Sequence, residues 1–158
     1  MTMQESAKRL LYEQVAGRIG RLIAGQRDMI AVMATVVCEL HHGFAYFDWT
    51  GFYRVAGPGL LKVGPYQGGH GCLEITFDRG VCGAAASSGE TQLVPDVREF
   101  PGHIACSAST RSEIVVPVAD SRGGLIAVLD IDSDQPGAFD EIDRANLEEL
   151  CAMIGRIA

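Results

Sequence analysis

The sequence predicts an α+β domain, an antiparallel β-sheet with α-helices packed on one or both faces. Three observations carry this expectation. Helical periodicity occupies both ends of the chain, strand patterns fill the middle, and neighbouring strands are joined as hairpins rather than as βαβ repeats. No internal repeat, linker or low-complexity stretch divides the 158 residues, so residues 1–158 read as one domain. A chain of that length can bury a core without disulfide staples.

The elements follow in order. Residues 4–24 place Leu10, Leu11, Val15, Ile19, Leu22 and Ile23 at helical spacing, and Gly25 supplies the stop. A second helix is predicted from Asp28 to Leu40, ending at His41, His42 and Gly43. Residues 46–55, YFDWTGFYRV, are aromatic and β-branched enough for a strand, and Gly57–Pro58–Gly59 turns it into the returning strand LLKVGPY. A glycine-rich turn leads to a short strand, Leu73 to Phe77, and a short helix is expected between Gly80 and Gly89. TQLVPDV is a brief extended piece stopped by Pro95. Glu113–Val118 and Leu125–Ile131 read as buried strands hinged at Asp120–Gly124. The last element is an amphipathic helix burying Ile142, Leu147, Leu150 and Ile154.

Composition excludes several roles. A net charge of -7 argues against nucleic acid or an anionic membrane as the main partner. The opening residues lack the apolar core of a secretory signal, and no apolar run is long enough to span a bilayer. A reducing, cytoplasmic setting is therefore expected, where cysteines are reduced, catalytic or metal-bound rather than permanently paired. Of the five cysteines, Cys38 and Cys151 sit in helix-like apolar surroundings and read as core. Cys72, Cys82 and Cys106 sit in glycine-rich or small-residue loops.

The stretch Gly102–Val118 organises the rest, because it sets Cys106 between His103 and Glu113 and then runs into an apolar strand. Loops on a rigid strand are where reacting side chains are usually presented. Structural zinc prefers close cysteine pairs, and none occurs. His70 with Cys72, or His103 with Cys106, would be an untypical donor set, so no metal is expected. A redox role instead needs one activated thiolate and a second thiol within reach. Asp130 and Asp132 alternate with apolar residues and share a sheet face; either that face is solvated, or the two gather with Glu113 in a pocket. Like charges held close would keep one acid protonated near neutrality. Trp49 and Tyr53 share one strand face and could wall a small amphiphilic ligand. There is no phosphate loop, nucleophile elbow or dinucleotide fingerprint, and no organic cofactor is expected.

Four blocks in order, DWTGFY, GPYQGGHGC with RGVCG, GHIAC…SEIVVPV, and VLDIDSD, resemble the GAF-domain free methionine-(R)-sulfoxide reductases over roughly residues 10 to 155. The resemblance implies a GAF-like fold, a homodimer, and reduction of free methionine-(R)-sulfoxide with thioredoxin as electron donor. It makes Cys106 the nucleophile, Cys72 the resolving cysteine and Cys82 a third exchanging thiol. It assigns Glu113 and Asp132 to the sulfoxide, Asp130 to the substrate amine, and Trp49 and Tyr53 to the wall around the methylsulfinyl group. His70 and Gly71 before Cys72, and Ser107 after Cys106, depart from the family pattern. The competing class is a non-catalytic GAF sensor binding a small molecule, which would leave the three loop thiols unexplained.

Overall fold

Period-two alternation along the central strands sends one set of side chains to each face of a single sheet, and the two sets build two separate cores. The computed structural model describes residues 2–158. Its elements are α1 (Met3–Leu22), α2 (Met29–Gly43), β1 (Trp49–Gly57), β2 (Leu60–Gln67), β3 (Glu74–Thr76), α3 (Gly80–Ser88), β4 (Gln92–Val94), β5 (Ser112–Ala119), β6 (Leu125–Ser133) and α4 (Glu141–Gly155). The strands form one sheet in the order β3-β2-β1-β6-β5-β4, antiparallel at every pairing. On one face, Phe52, Ile114, Val116, Val118, Ala127, Leu129 and Ile131 pack against α1, α2 and α4. On the other, Trp49, Tyr53, Val115 and Val128 pack against α3 and the loops around it.

The helix ends follow from local chemistry. Thr2 and Glu5 form a capping box on α1. Asp28 caps α2 by accepting from the Ile30 N–H at 2.9 Å, and Asp140 caps α4 in the same way at Ile142. Gly89 closes α3 in the left-handed region, φ 70°. Among the described residues no helix is long and apolar enough to cross a membrane.

Several boundaries differ from the sequence expectation. The buried stripe of α1 is Tyr12, Val15 and Ile19, three to four residues apart. Leu10 and Leu22 fall off that stripe and are 54% and 56% exposed. The first strand starts at Trp49 rather than Tyr46, because Phe44, Tyr46 and Phe47 fold into an aromatic turn, with the Phe44 and Phe47 rings stacked at 4.6 Å. A 3-10 turn, Val97–Glu99, follows the stop at Pro95, an element the sequence reading did not include. Cys38 is exposed on α2 and not a core residue, whereas Cys151 is buried.

Candidate active site

Every residue singled out for chemistry reaches the same sheet face. β5 and β6 pair in the register Glu113↔Asp132 and Val115↔Asp130, which sets three acids side by side on that face. β6 also pairs with β1, bringing Trp49 opposite Asp132. The wall is aromatic: Trp49 stacks on Tyr53 at 5.8 Å and on Tyr66 at 5.4 Å between centroids. Tyr66 was not expected from the sequence, since only the hairpin register brings it under the tryptophan.

Over this floor lie two loops, and a disulfide between Cys72 and Cys106 joins them, with Cα atoms 5.4 Å apart. Trp49 Nε1 donates to the Gly69 carbonyl at 3.0 Å and so anchors the loop that carries Cys72. Gly71 permits the close seat: a Cβ there would lie 2.8 Å from Trp49 Cζ2 and 2.9 Å from the Tyr53 hydroxyl. The unusual glycine before Cys72 is thus what lets this loop lie on its own aromatic wall. Cys106 is exposed, Cys72 half-buried, and Cys82 buried with a free thiol at the start of α3. Because Cys72 and Cys106 are bonded to each other, neither sulfur is available to the His–Cys metal sets weighed from the sequence.

Electrostatics separate these groups. A helix N-terminus ordinarily favours a thiolate, but burial, then the charges of Asp130 and Glu113, push the Cys82 thiol well above its usual range. Burial also raises Glu113, with Asp132 adding to it, and raises Asp130, with Glu113 adding to it. Asp132 is raised by burial and by Asp130, Asp134 and Asp48. Burial and mutual repulsion therefore favour the protonated form of these acids, the outcome expected when like charges share a dry space. Ligand oxygens of Glu113 and Asp130 and the Cys82 sulfur all lie within 4.8 Å of one another. Asp130 Oδ1 is buried with no hydrogen-bond partner among the described residues, an acceptor facing into the pocket unmet. His103 Nε2 stands 3.6 Å from Glu113 Oε2, and burial lowers the imidazole pKa, which disfavours a charged ring beside Cys106. Its tie to Glu113 escaped the sequence reading, which placed it only beside Cys106.

With the disulfide closed, the space enclosed by Cys82, His103, Cys106, Glu113, Asp130 and Asp132 is about 30 Å³, room for roughly one water. Beside it, a cleft of about 440 Å³ runs between Trp49, His70, Asp132 and Asp134 and shares Cys106 and Thr110 with the closed space. Asp132 lines both spaces, whereas Glu113 and Asp130 line only the closed one. A larger cleft near α1, about 680 Å³, has its one lysine, Lys8, already paired with Asp140 and Asp143.

Fold and site define a class: a one-sheet α+β domain that closes a disulfide over a pocket of buried acids. The GAF domain family model matches residues 10–157, and the chain belongs to that family. It is 40% identical to GAF domain-containing protein A of Dictyostelium discoideum, covering 98% of this chain and 96% of that protein. It is 37% identical to the free methionine-R-sulfoxide reductase of Saccharomyces cerevisiae, covering 94% and 86%. The structure of free methionine-R-sulfoxide reductase from Neisseria meningitidis in complex with its substrate superimposes with a TM-score of 0.90 at 41% identity, covering 95% of this chain and 89% of that one.

Proposed function

We propose that this protein reduces free methionine-(R)-sulfoxide to methionine through a cysteine sulfenic acid and an intramolecular disulfide, recycled by thioredoxin. The observation that carries the reading is the Cys72–Cys106 disulfide lying over the buried acids Glu113 and Asp130 and the half-buried Asp132. The substrate and its epimer come from the relatives named above.

Sulfoxide oxygen leaves poorly until it is protonated. Glu113, whose protonated form burial favours, supplies that proton with the assistance of Asp132. The Cys106 thiolate attacks the sulfur, and a Cys106–methionine S–S bond forms as the protonated oxygen leaves as hydroxide. Hydroxide then attacks the Cys106 sulfur, the S–S bond breaks, methionine departs and Cys106 is left as a sulfenic acid. Cys72 then condenses with it, releasing water and forming the disulfide seen here. The unmet Asp130 Oδ1 suits the substrate ammonium, since a buried acceptor without a donor is costly and a cationic donor relieves it. Trp49 and Tyr53 wall the methylsulfinyl group. Cys82, its thiolate suppressed by burial, is a reserve thiol in the exchange rather than the attacking one. A cytoplasmic homodimer without metal or organic cofactor belongs to the same reading.

The test is NADPH consumption with thioredoxin and thioredoxin reductase, offering the two epimers of free methionine sulfoxide and a sulfoxide-containing peptide separately. Consumption with the free R epimer alone is expected. Cys106→Ser abolishes turnover, while Cys72→Ser releases about one methionine per subunit and stops. Multiple turnover by Cys106→Ser would overturn the assignment.

A further inference from the structure

The disulfide sits in a surface from which charge is missing. In a chain that is 21% charged, residues 63–73 and 100–110 contain no Lys, Arg, Asp or Glu, and these two runs carry Cys72 and Cys106. Within them Gly68, Gly69, His70, Leu73, Pro101, Gly102, Ala105, Cys106 and Ala108 are exposed. Leu73, next to Cys72, is 76% exposed, while its carbonyl is held by the Val63 N–H at 3.0 Å. At the rim, Lys62 pairs with Glu74 at 2.9 Å and Arg98 and Arg111 pair with Asp96, while the acids of the cleft, Asp48, Asp132 and Asp134, lie to one side of the bond. An uncharged centre with a polar rim is the anatomy of a protein interface.

The geometry points to a docking surface, centred on Leu73 and the Cys72–Cys106 bond, for a dithiol protein whose reactive thiol lies on a flat, uncharged, apolar face. The exposed bond at its centre fixes the occupant's chemistry, because only a thiol partner has business there. This rests on the proposed reaction, in which that disulfide must be reduced after each turnover. The partner's thiolate attacks Cys106, the more exposed of the pair, and an intermolecular disulfide forms as the Cys72–Cys106 bond breaks and Cys72 leaves as a thiolate. The partner's second thiol then displaces Cys106 and closes the partner's own disulfide. Two electrons and two protons pass from the partner to this cysteine pair, the protons by way of solvent.

The experiment follows reduction of the purified disulfide form directly, with no sulfoxide present, using either reduced thioredoxin or dithiothreitol. Leu73→Asp slows the thioredoxin reaction about tenfold or more, as removal of an interface anchor does, and leaves the dithiothreitol rate within about twofold. Ala108→Asp, on the second loop, does the same. Unaltered thioredoxin rates in both variants, or equal losses with both reductants, would overturn the proposal, as would a wild-type disulfide that thioredoxin reduces no faster than dithiothreitol does. Failure of the methionine sulfoxide assay leaves this readout intact, so the two readings fall separately.

Discussion

Glu113, Asp130 and Asp132 show what the register of two strands does to three ordinary side chains. Each would ionise near pH 4 in water, and each is raised here because burial and its neighbours disfavour the charge. The folded protein therefore holds these protons more tightly than the unfolded chain. Their contribution to stability is complete below about pH 4 and is lost as pH rises toward the folded values. Each unit of upward displacement corresponds to about 1.4 kcal/mol lost at a pH above both values. Asp130→Asn removes that loss, so its Tm should exceed that of the wild type at pH 7, and the gap should close as the pH approaches about 4. Thermal melts across that range would show it, and a gap independent of pH would refute the buried-acid account. Glu113→Gln should gain stability in the same direction while losing about 10²–10⁴-fold in the rate of methionine release, because the proton donor is gone. The alternation VLDIDSD made a shared face for the aspartates legible. Whether that face was wet or dry was not legible, since α3 and the Cys106 loop, distant in sequence, are what cover it.

At the scale of elements, the loop carrying Cys72 is positioned by contacts that sequence spacing hides. Its glycines read as turns, and the motif order identified Cys72, but the seat of Gly71 against Trp49 and Tyr53 exists only once β1 and β2 have paired. The helical ends and the hairpin were legible because capping residues and Gly57–Pro58–Gly59 act locally. The aromatic turn at Phe44–Phe47 was not, because ring stacking outweighed the β propensity of Tyr46 and Phe47. Gly71→Ala puts a methyl within 3 Å of both rings, so the loop must lift while the Cys106 loop stays as it is. Disulfide closure depends on holding Cys72 near the sulfenic acid, and a small displacement sharply lowers that effective concentration. The expected result is an intact first release of about one methionine per subunit, with disulfide formation slowed about tenfold. Quenched-flow thiol counting separates the two steps, and a slowed first release would place Gly71 in substrate binding instead.

Across the whole molecule, the helix face is tied together by one residue that the sequence reading passed over. Asp143 is fully buried on α4 and accepts from Tyr12 on α1 at 2.7 Å, from Tyr46 in the turn before β1 at 2.6 Å, and from its own cap, Asp140 N–H, at 2.7 Å. Lys8 on α1 completes its charge balance. Burial and the Asp143 charge raise both phenols, so they remain donors across the working pH range. Three chain segments, α1, the turn before β1 and α4, thus converge on one carboxylate, and no local pattern announces it. Removing one partner of a buried ion pair leaves the other charge uncompensated and costs about 3–5 kcal/mol. Asp143→Ala should lower the urea midpoint, and Lys8→Met in the same chain should restore little of the loss, because Lys8 keeps Asp140 as a partner at 3.0 Å. The network lies on the opposite side of the sheet from the disulfide, so the rate of methionine release per folded molecule should stay within about twofold of wild type. A loss of activity in the fully folded variant would mean that the two faces are coupled through β1, whose Trp49 follows Tyr46 by three residues.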